Sequence, residues 1–415
     1  MKNKVAVIIL AAGKGERMKS ELPKVLHPVC GRPMLEFVLD TVRDLKIKDS
    51  VIVLGHKHQE VSKVLRSGIK TVIQKKVDGT ASAVKIALFA LGNFKGTILV
   101  LYGDIPLLRK ETIAKLIKHH SANDLDATLL TANVDKPQGY GRILRDKYNT
   151  ICGIVEEKDA DEVQKEIKEI NTGIVCFKKD KLISALKQVK PNNRKKEYYL
   201  TDTFGIIYNN KGLLDSVKVC DVDEAMGINS RIELAKANRI MQIRINEELM
   251  KEGVSIVDPA STFINFGTKI GQDTTIYPFT VIEKGVKIGK CCSVGPFVHL
   301  REDVEIADRS FVGNFLEIAR SKIGSGCFAK HFCYLGDSSI GDNVNIGAGV
   351  VIANFNGKKK NPTVIKDNAF IGSDSILVAP VKIGKSAKTG AGSVVIKDVS
   401  DNTTVVGIPA RPIKK

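Results

Sequence analysis

From Phe263 to Val395 the chain carries an aliphatic residue at nearly every sixth position. Counting from Ile264, the residues Ile270, Ile276, Ile282, Ile288, Val294, Leu300, Ile306, Val312 and Ile318 hold one unbroken register. Shorter sets follow: Ala329 and Leu335; Ile340, Ile346 and Ile352; Ile365, Ile371, Leu377 and Ile383. A period of six fits neither an amphipathic helix nor a half-buried strand. It fits a solenoid of short strands and tight turns, in which one branched side chain per strand points into a continuous core. Glycine often follows the repeat residue, as at Gly271, Gly289, Gly347, Gly372 and Gly384. These glycines are expected to supply the backbone angles that tight turns need.

Residues 1 to about 229 read differently. Short β-branched runs (Val5–Leu10, Ser50–Leu54, Thr71–Ile73, Thr97–Tyr102, Ala127–Thr131) alternate with helical patterns (Met34–Leu45, Ser82–Leu91, Lys110–His120). That alternation predicts βαβ units around a mostly parallel sheet. Ser230-Arg231-Ile232-Glu233 has capping-box spacing and opens an amphipathic helix to about Lys251, ended by Gly253. The expected order is therefore an α/β domain over 1–229, a linker helix over 230–253, the solenoid over 254–400 and a tail over 401–415.

With 415 residues, 43% of them hydrophobic, the chain can bury more than one core. No apolar run approaches the roughly 20 residues of a membrane helix, so no membrane insertion is expected. Lys2-Asn3-Lys4 before Val5–Ala12 imitates a short signal peptide, but it runs into Gly13-Lys14-Gly15 without a small-residue cleavage site. A buried first strand explains it better. The eight cysteines form no C-x-x-C pair and no cluster with metal spacing, as suits free thiols in a reducing cytoplasm. A formal charge of +18 suits acidic partners such as nucleotides, phosphates or coenzyme A. Nucleic acid is not among them, for want of a reader motif and with only 6% aromatic residues.

Directly after the first expected strand comes Leu10-Ala-Ala12-Gly13-Lys14-Gly15-Glu16-Arg17-Met18, then Pro23-Lys24-Val25-Leu26. No Gly-Lys-Ser/Thr closes it, so it is not a Walker loop, and it lacks the third glycine of the dinucleotide fingerprint. It offers small residues for close backbone approach, amide donors at a turn, and cations at Arg17 and Lys24, which are the needs of a polyphosphate. The segment resembles the G-x-G-x-R-M…P-K signature of the sugar-nucleotide nucleotidyltransferases. Further landmarks follow in order: Gln74, Gly79-Thr80, Tyr102-Gly103-Asp104, Gly139-Tyr140-Gly141-Arg142, Val155-Glu156-Glu157-Lys158, Glu169-Ile170-Asn171-Thr172-Gly173, Tyr198-Tyr199-Leu200-Thr201-Asp202 and Gly227-Ile228-Asn229. Together they resemble one family, the bacterial bifunctional N-acetylglucosamine-1-phosphate uridylyltransferase/glucosamine-1-phosphate acetyltransferases.

That resemblance implies a Rossmann-like nucleotidyltransferase domain followed by a left-handed parallel β-helix of hexapeptide repeats, in a homotrimer with active sites between subunits. It implies that Leu10, Ala12 and Gly13 line the nucleotide, that Gln74 and Thr80 (with Gly79 before it) read the uracil edge, and that Arg17 and Lys24 bind the triphosphate of UTP. Tyr102 belongs to the same nucleotide and sugar site. Gly141, Glu156, Asn171 and Asn229 are expected to hold the amino sugar, and Asp104 and Asn229 to ligate Mg2+. Oxygen donors suit that hard cation, which also takes substrate phosphates as ligands. The pairing of two residues 125 positions apart rests wholly on the resemblance.

In the solenoid, His331 stands in Lys330-His331-Phe332-Cys333-Tyr334-Leu335-Gly336-Asp337, where the family carries its catalytic base. A near-neutral imidazole can take the proton of a sugar amine as it attacks the thioester of acetyl-CoA. By the same resemblance Arg301, Tyr334, Asn354 and Lys360 contact the amino-sugar 1-phosphate, and Ala348 and Ser373 lie near acetyl-CoA. The chain departs from the family in four places. Gly79-Thr80-Ala81-Ser82-Ala83 stands for Gly-Thr-Gly-His-Ala. Ala319 replaces a substrate-binding lysine, with Arg320 adjacent. Phe355-Asn356 replaces Tyr-Asp, and the tail is shorter. Three other readings stay open: a uridylyltransferase whose solenoid only trimerises or takes another amino sugar, a nucleotidyltransferase for another sugar phosphate, and a non-catalytic regulatory subunit.

Overall fold

The computed structural model describes residues 4–65 and 68–413; Lys2-Asn3 of the expected leader-like start, and the outer ends of the first domain and the tail, lie outside them. The chain divides into two compact units, Met1–Ile240 and Met241–Lys415.

The first unit is built on strands Val5–Ala11 (β1), Asp49–Leu54 (β2), Lys70–Ile73 (β3), Thr97–Tyr102 (β4), Ala127–Asn133 (β5), Arg142–Arg145 (β6), Ile151–Val155 (β7), Glu169–Lys178 (β8) and Leu214–Lys218 (β9). Their order is β9-β5-β8-β4-β1-β2-β3, with β6 on β8 and β7 on β6. Every pair among β4, β1, β2 and β3 is parallel, and β9 is parallel to β5. The long β8 runs antiparallel between β4 and β5, an inversion that the apolar pattern gave no sign of. The core follows from strand alternation: Ala6, Ile8 and Leu10 join one apolar layer, Val7, Ile9 and Ala11 the other. Helices Met34–Asp44 (α1), Thr80–Leu91 (α2) and Lys110–Ala122 (α3) fall where the sequence predicts them, within about two residues at each end. A further helix, Asp202–Asn209 (α4), follows the Tyr198–Asp202 motif.

Helix Arg231–Lys251 (α5) begins one residue after Ser230, whose hydroxyl and the Glu233 side chain lie 3.1 Å apart. The Glu233 carboxylate reaches back to the Asn229 N–H at 2.6 Å, so the capping interaction extends one residue further than the motif predicts. Its buried stripe also departs from the simple amphipathic expectation. Beside Leu234, Ala237, Met241 and Leu249 it contains Gln242 and Asn246. These amides are tolerated because each is spent on backbone: Gln242 on Ile264, Asn246 on the carbonyls of Pro259 and Thr262.

In the second unit the two-residue strands stack into three parallel sheets, the architecture of a left-handed β-helix. Ile264, Ile276, Ile282, Val294, Leu300, Val312 and Ile318 are at most 1% exposed and form one apolar column with their neighbours. Coil length is read from the register. Ile264 faces Ile282, 18 residues on; Ile306 faces Ile323, 17 on; Ile340 faces Ile365, 25 on. The slips in the sequence repeat are therefore one short coil type and one long coil, which carries an extra loop at Asn354–Asn361 whose ends are joined by a 2.7 Å backbone hydrogen bond.

The glycine expectation needs correcting. Gly271, Gly289, Gly347, Gly372 and Gly384 are absent from the positive-φ residues. A Cβ on each would lie 2.3–2.6 Å from the next coil: 2.6 Å from the Gly289 carbonyl carbon for Gly271, 2.5 Å from the Ser373 nitrogen for Gly347. These glycines allow coils to approach. The left-handed corners are taken instead by residues such as Asp273 (φ 61°), Phe297 (φ 54°), Asp303 (φ 62°) and Asp337 (φ 51°). Replacing Leu300 by Ala should lower the urea-unfolding free energy by about 2–5 kcal/mol, as buried leucine truncations do. Replacing the exposed Lys287 by Ala, measured the same way, should change it by less than about 1 kcal/mol.

Candidate functional site

A cleft of about 490 Å³ opens where β1 and β4 end. In sheets of this kind ligands lie beyond the carboxyl ends of the parallel strands. Leu10, Ala12, Gly13, Lys24, Gln74, Gly79, Thr80, Tyr102, Asp104, Glu156 and Asn229 all line it. A larger cavity, about 920 Å³, lies at the opposite end of the strands around Phe94, Thr97, His120 and Lys178, and contains none of the predicted residues.

The charged centre of the cleft is Lys24. Its ammonium pairs with the Asp104 carboxylate and donates to the Asn229 side-chain carbonyl at 3.0 Å. Three segments far apart in the chain thus converge on one positive charge. Asp104 follows β4, and its own carbonyl accepts from the Ile228 N–H at 3.0 Å, which fixes the Asn229 segment beside it. Two oxygen donors aimed at one cation are a donor set that fits a hard divalent metal with few protein ligands.

Gln74 is 3% exposed and donates to the Gly79 carbonyl at 3.1 Å. Gly79 has φ 130° and sits against Tyr198, whose carbonyl oxygen would be 2.3 Å from a Cβ there, so only glycine fits this turn. Thr80 accepts from the Leu200 N–H at 2.9 Å and bonds the Tyr102 hydroxyl. Burial, helped by Glu156 and Asp104, raises the Tyr102 phenol well above its usual range, so it stays a neutral hydrogen-bonding group.

Of the three residues expected to hold the amino sugar beside Asn229, Glu156 stands in the wall of the cleft, whereas Gly141 and Asn171 lie behind it, next to the lining residues Tyr140 and Thr172. The Asn171 N–H donates to the Gly141 carbonyl at 2.8 Å, and Gly141 Cα faces both the Glu156 carboxylate and Asn171 Cβ. Burial raises the Glu156 carboxyl, while a hydrogen bond from Thr201 at 3.1 Å opposes this. Arg17 is also outside the cleft lining, exposed on the short 3₁₀ turn Glu16–Met18. Lys195 and Glu197 do line the cleft, though in the sequence they look like part of a solvated charge run.

In the solenoid the expected acyl-transfer residues gather on neighbouring coils. His331 ends the strand Phe328–His331 and is exposed, paired in register with Asn314. Tyr334, Asn354 and Lys360 surround Asp337: Asn354 donates to its carboxylate and lies 3.4 Å from the Tyr334 hydroxyl. Lys360 and above all Arg320 hold the Asp337 carboxyl below its usual range. Arg320 binds it through two nitrogens at 2.6 and 2.9 Å. Ala319 is fully buried, so the outward position beside it belongs to Arg320. Neither Arg320 nor Asp337 stood among the predicted binding residues. Arg301 pairs with Glu317 at 3.1 Å and lines a small cleft with Arg320. Ala348 accepts from the Asp374 N–H at 2.7 Å, which brings Ser373 beside it.

A cleft large enough for a nucleotide at the strand ends of one unit and polar groups on the coils of the other define a nucleotidyltransferase joined to a hexapeptide-repeat transferase. Residues 7–194 match the MobA-like NTP transferase domain, and residues 267–301, 320–354 and 362–397 match the bacterial transferase hexapeptide (six repeats). Full-length relatives are named bifunctional protein GlmU. That of Thermosipho africanus is 45% identical, covering 96% of this chain and 94% of the relative; that of Shouchella clausii is 42% identical over 94% of each. That of Clostridioides difficile is 40% identical over 98% of this chain and 96% of its own. The chain belongs to the GlmU family.

Next to the Glu156 wall, burial and the Glu156 and Asp159 carboxylates raise Asp202 from 3.8 to about 6. A folded-state value above the unfolded one means that the stabilising share of this carboxyl is complete below the unfolded value and is lost as pH rises through about 6. Asp202→Asn, which stays neutral, should therefore melt at a higher temperature than the parent at pH 7–8 and show no such gain near pH 4, by scanning calorimetry across that range.

Proposed function

We propose that the chain makes UDP-N-acetylglucosamine in two steps, acetylating glucosamine 1-phosphate from acetyl-CoA on the solenoid and then joining the product to UMP from UTP in the first unit. The observation that carries the reading is the meeting of Lys24, Asp104 and Asn229 at the strand ends.

In the second step the sugar 1-phosphate attacks the α-phosphorus of UTP in line, a new P–O bond forms, and pyrophosphate leaves. The attacking phosphate is already anionic, so no side-chain nucleophile is needed; positioning and charge neutralisation suffice. Lys24 and Arg17 neutralise the triphosphate. Gln74 and Thr80 face the base, and Gly141, Glu156 and Asn171 hold the amino sugar. Asp104 and Asn229 would hold Mg2+, which when bound would supply charge neutralisation.

In the first step His331 takes the proton of the sugar amine as it attacks the thioester. The bond to sulfur breaks and coenzyme A leaves. Tyr334, Asn354, Lys360 and Arg301 contact the sugar phosphate; Ala348 and Ser373 face acetyl-CoA. We assign the enzyme to the cytoplasm, where these co-substrates are made, and to a homotrimer. The exposed ladder Phe279, Phe297 and Phe315, stacked at 4.9 and 4.8 Å, is apolar surface that a second copy would cover. Among the described residues no helix is long and apolar enough to cross a membrane.

A scaffold-only solenoid draws on the buried Ala319 and on Arg320 being tied to Asp337. Thiol release from acetyl-CoA with glucosamine 1-phosphate separates the two readings. His331→Ala should cut that release by about 10²–10⁴ and leave pyrophosphate release intact. Lys24→Ala should do the reverse, lowering Mg2+-dependent pyrophosphate release from UTP and N-acetylglucosamine 1-phosphate by about 10² or more.

A further inference from the structure

The two turns that bear Arg17 and Lys24 are pinned from a third place in the chain. Arg231, first residue of α5, donates from Nε to the Met18 carbonyl at 3.2 Å, and its Nη1 faces Nδ1 of His27 at 3.2 Å. Met18 ends the 3₁₀ turn Glu16–Met18, and His27 follows the 3₁₀ turn Lys24–Leu26. The two contacts span 213 and 204 residues of sequence.

The chemistry of the contact fixes the state of the imidazole. A guanidinium only donates, so His27 Nδ1 accepts, the ring proton sits on Nε2, and the ring is neutral. Burial, and then the Arg231 charge, hold His27 below its ordinary range, in agreement. The other nitrogen faces the Leu22 backbone without completing a hydrogen bond. A buried polar atom left so costs about 1–3 kcal/mol. Among the described residues the Arg231 contact is therefore the one good hydrogen bond that the 2%-exposed His27 ring makes. Asn229, two residues before Arg231, accepts from Lys24, and its N–H is fixed by Glu233.

We propose that Arg231 is a positioning residue for nucleotidyl transfer: its planar fork sets the spacing between the Arg17 turn and the Lys24 turn and ties both to the Asn229 segment. This rests on the assignment of the triphosphate to those two turns. A lysine carries the charge but presents no rigid planar fork, so it does not fix the spacing between the two acceptors.

The test uses the full chain with Mg2+, UTP and N-acetylglucosamine 1-phosphate, comparing Arg231→Ala and Arg231→Lys with the parent. Arg231→Ala should lower kcat/KM for UTP about 10- to 100-fold, while KM for the sugar phosphate stays within about twofold. Arg231→Lys should fall nearer to the alanine variant than to the parent, and thiol release from acetyl-CoA should be unchanged in both. Parent-like UTP kinetics in Arg231→Ala, full rescue by lysine, or equal losses for UTP, sugar phosphate and acetyl transfer would each overturn the proposal while leaving the uridylyltransferase reading in place. A parent protein that releases no pyrophosphate would remove that reading itself.

Discussion

Backbone amides of one coil must find carbonyls on the next, and neighbouring strands lie only about 4.8 Å apart. Much of the second unit follows from that spacing. Between successive coils a Cβ at Gly271, Gly347 or Gly372 would lie within 2.6 Å of main-chain atoms, so glycine stands there. The side chain directed inward from each strand must fill a fixed volume, so it is Ile, Val or Leu over coil after coil. Where Thr389 takes the column position, its hydroxyl meets the Gly372 N–H at 2.9 Å and Ser375 at 2.8 Å, which satisfies the polar atom inside the core.

The first unit solves a different problem, that of bringing distant residues together. Parallel strands all end on one side, so the segments after β1 and β4 become neighbours although 80 residues separate Lys24 from Asp104. Lys24, Asp104 and Asn229 are tied to one another: the Asp104 carbonyl accepts from the Ile228 N–H, the Asn229 N–H is held by Glu233, and Lys24 joins both side chains. Such preorganisation is what charge-stabilising catalysis requires.

Much of this was legible in the sequence, for reasons that differ by residue. The column from Ile264 to Ile318 could be read because a solenoid repeats one environment. The strands Val5–Ala11 and Thr97–Tyr102 could be read because buried parallel strands are apolar throughout. The antiparallel β8 could not, since strand direction leaves no trace in an apolar run. The glycines were assigned the wrong role because sequence shows that a side chain is missing but not what stands in its way. The Arg320–Asp337 pair was overlooked because the two are 17 residues apart, one coil, and their contact exists only once the coil closes. Arg17 illustrates the reverse: its motif is plain, yet it stands exposed beside the cleft.

The long coil that places Ile365 over Ile340 holds a lesson about how such a molecule can change. Because each coil rests only on its two neighbours, the additional residues bulge outward at Asn354–Asn361 and the ladder above and below keeps its stacking. Loop length on this face is thereby uncoupled from folding. Insertions there can reshape the outer surface, coil by coil, while the column beneath remains the same.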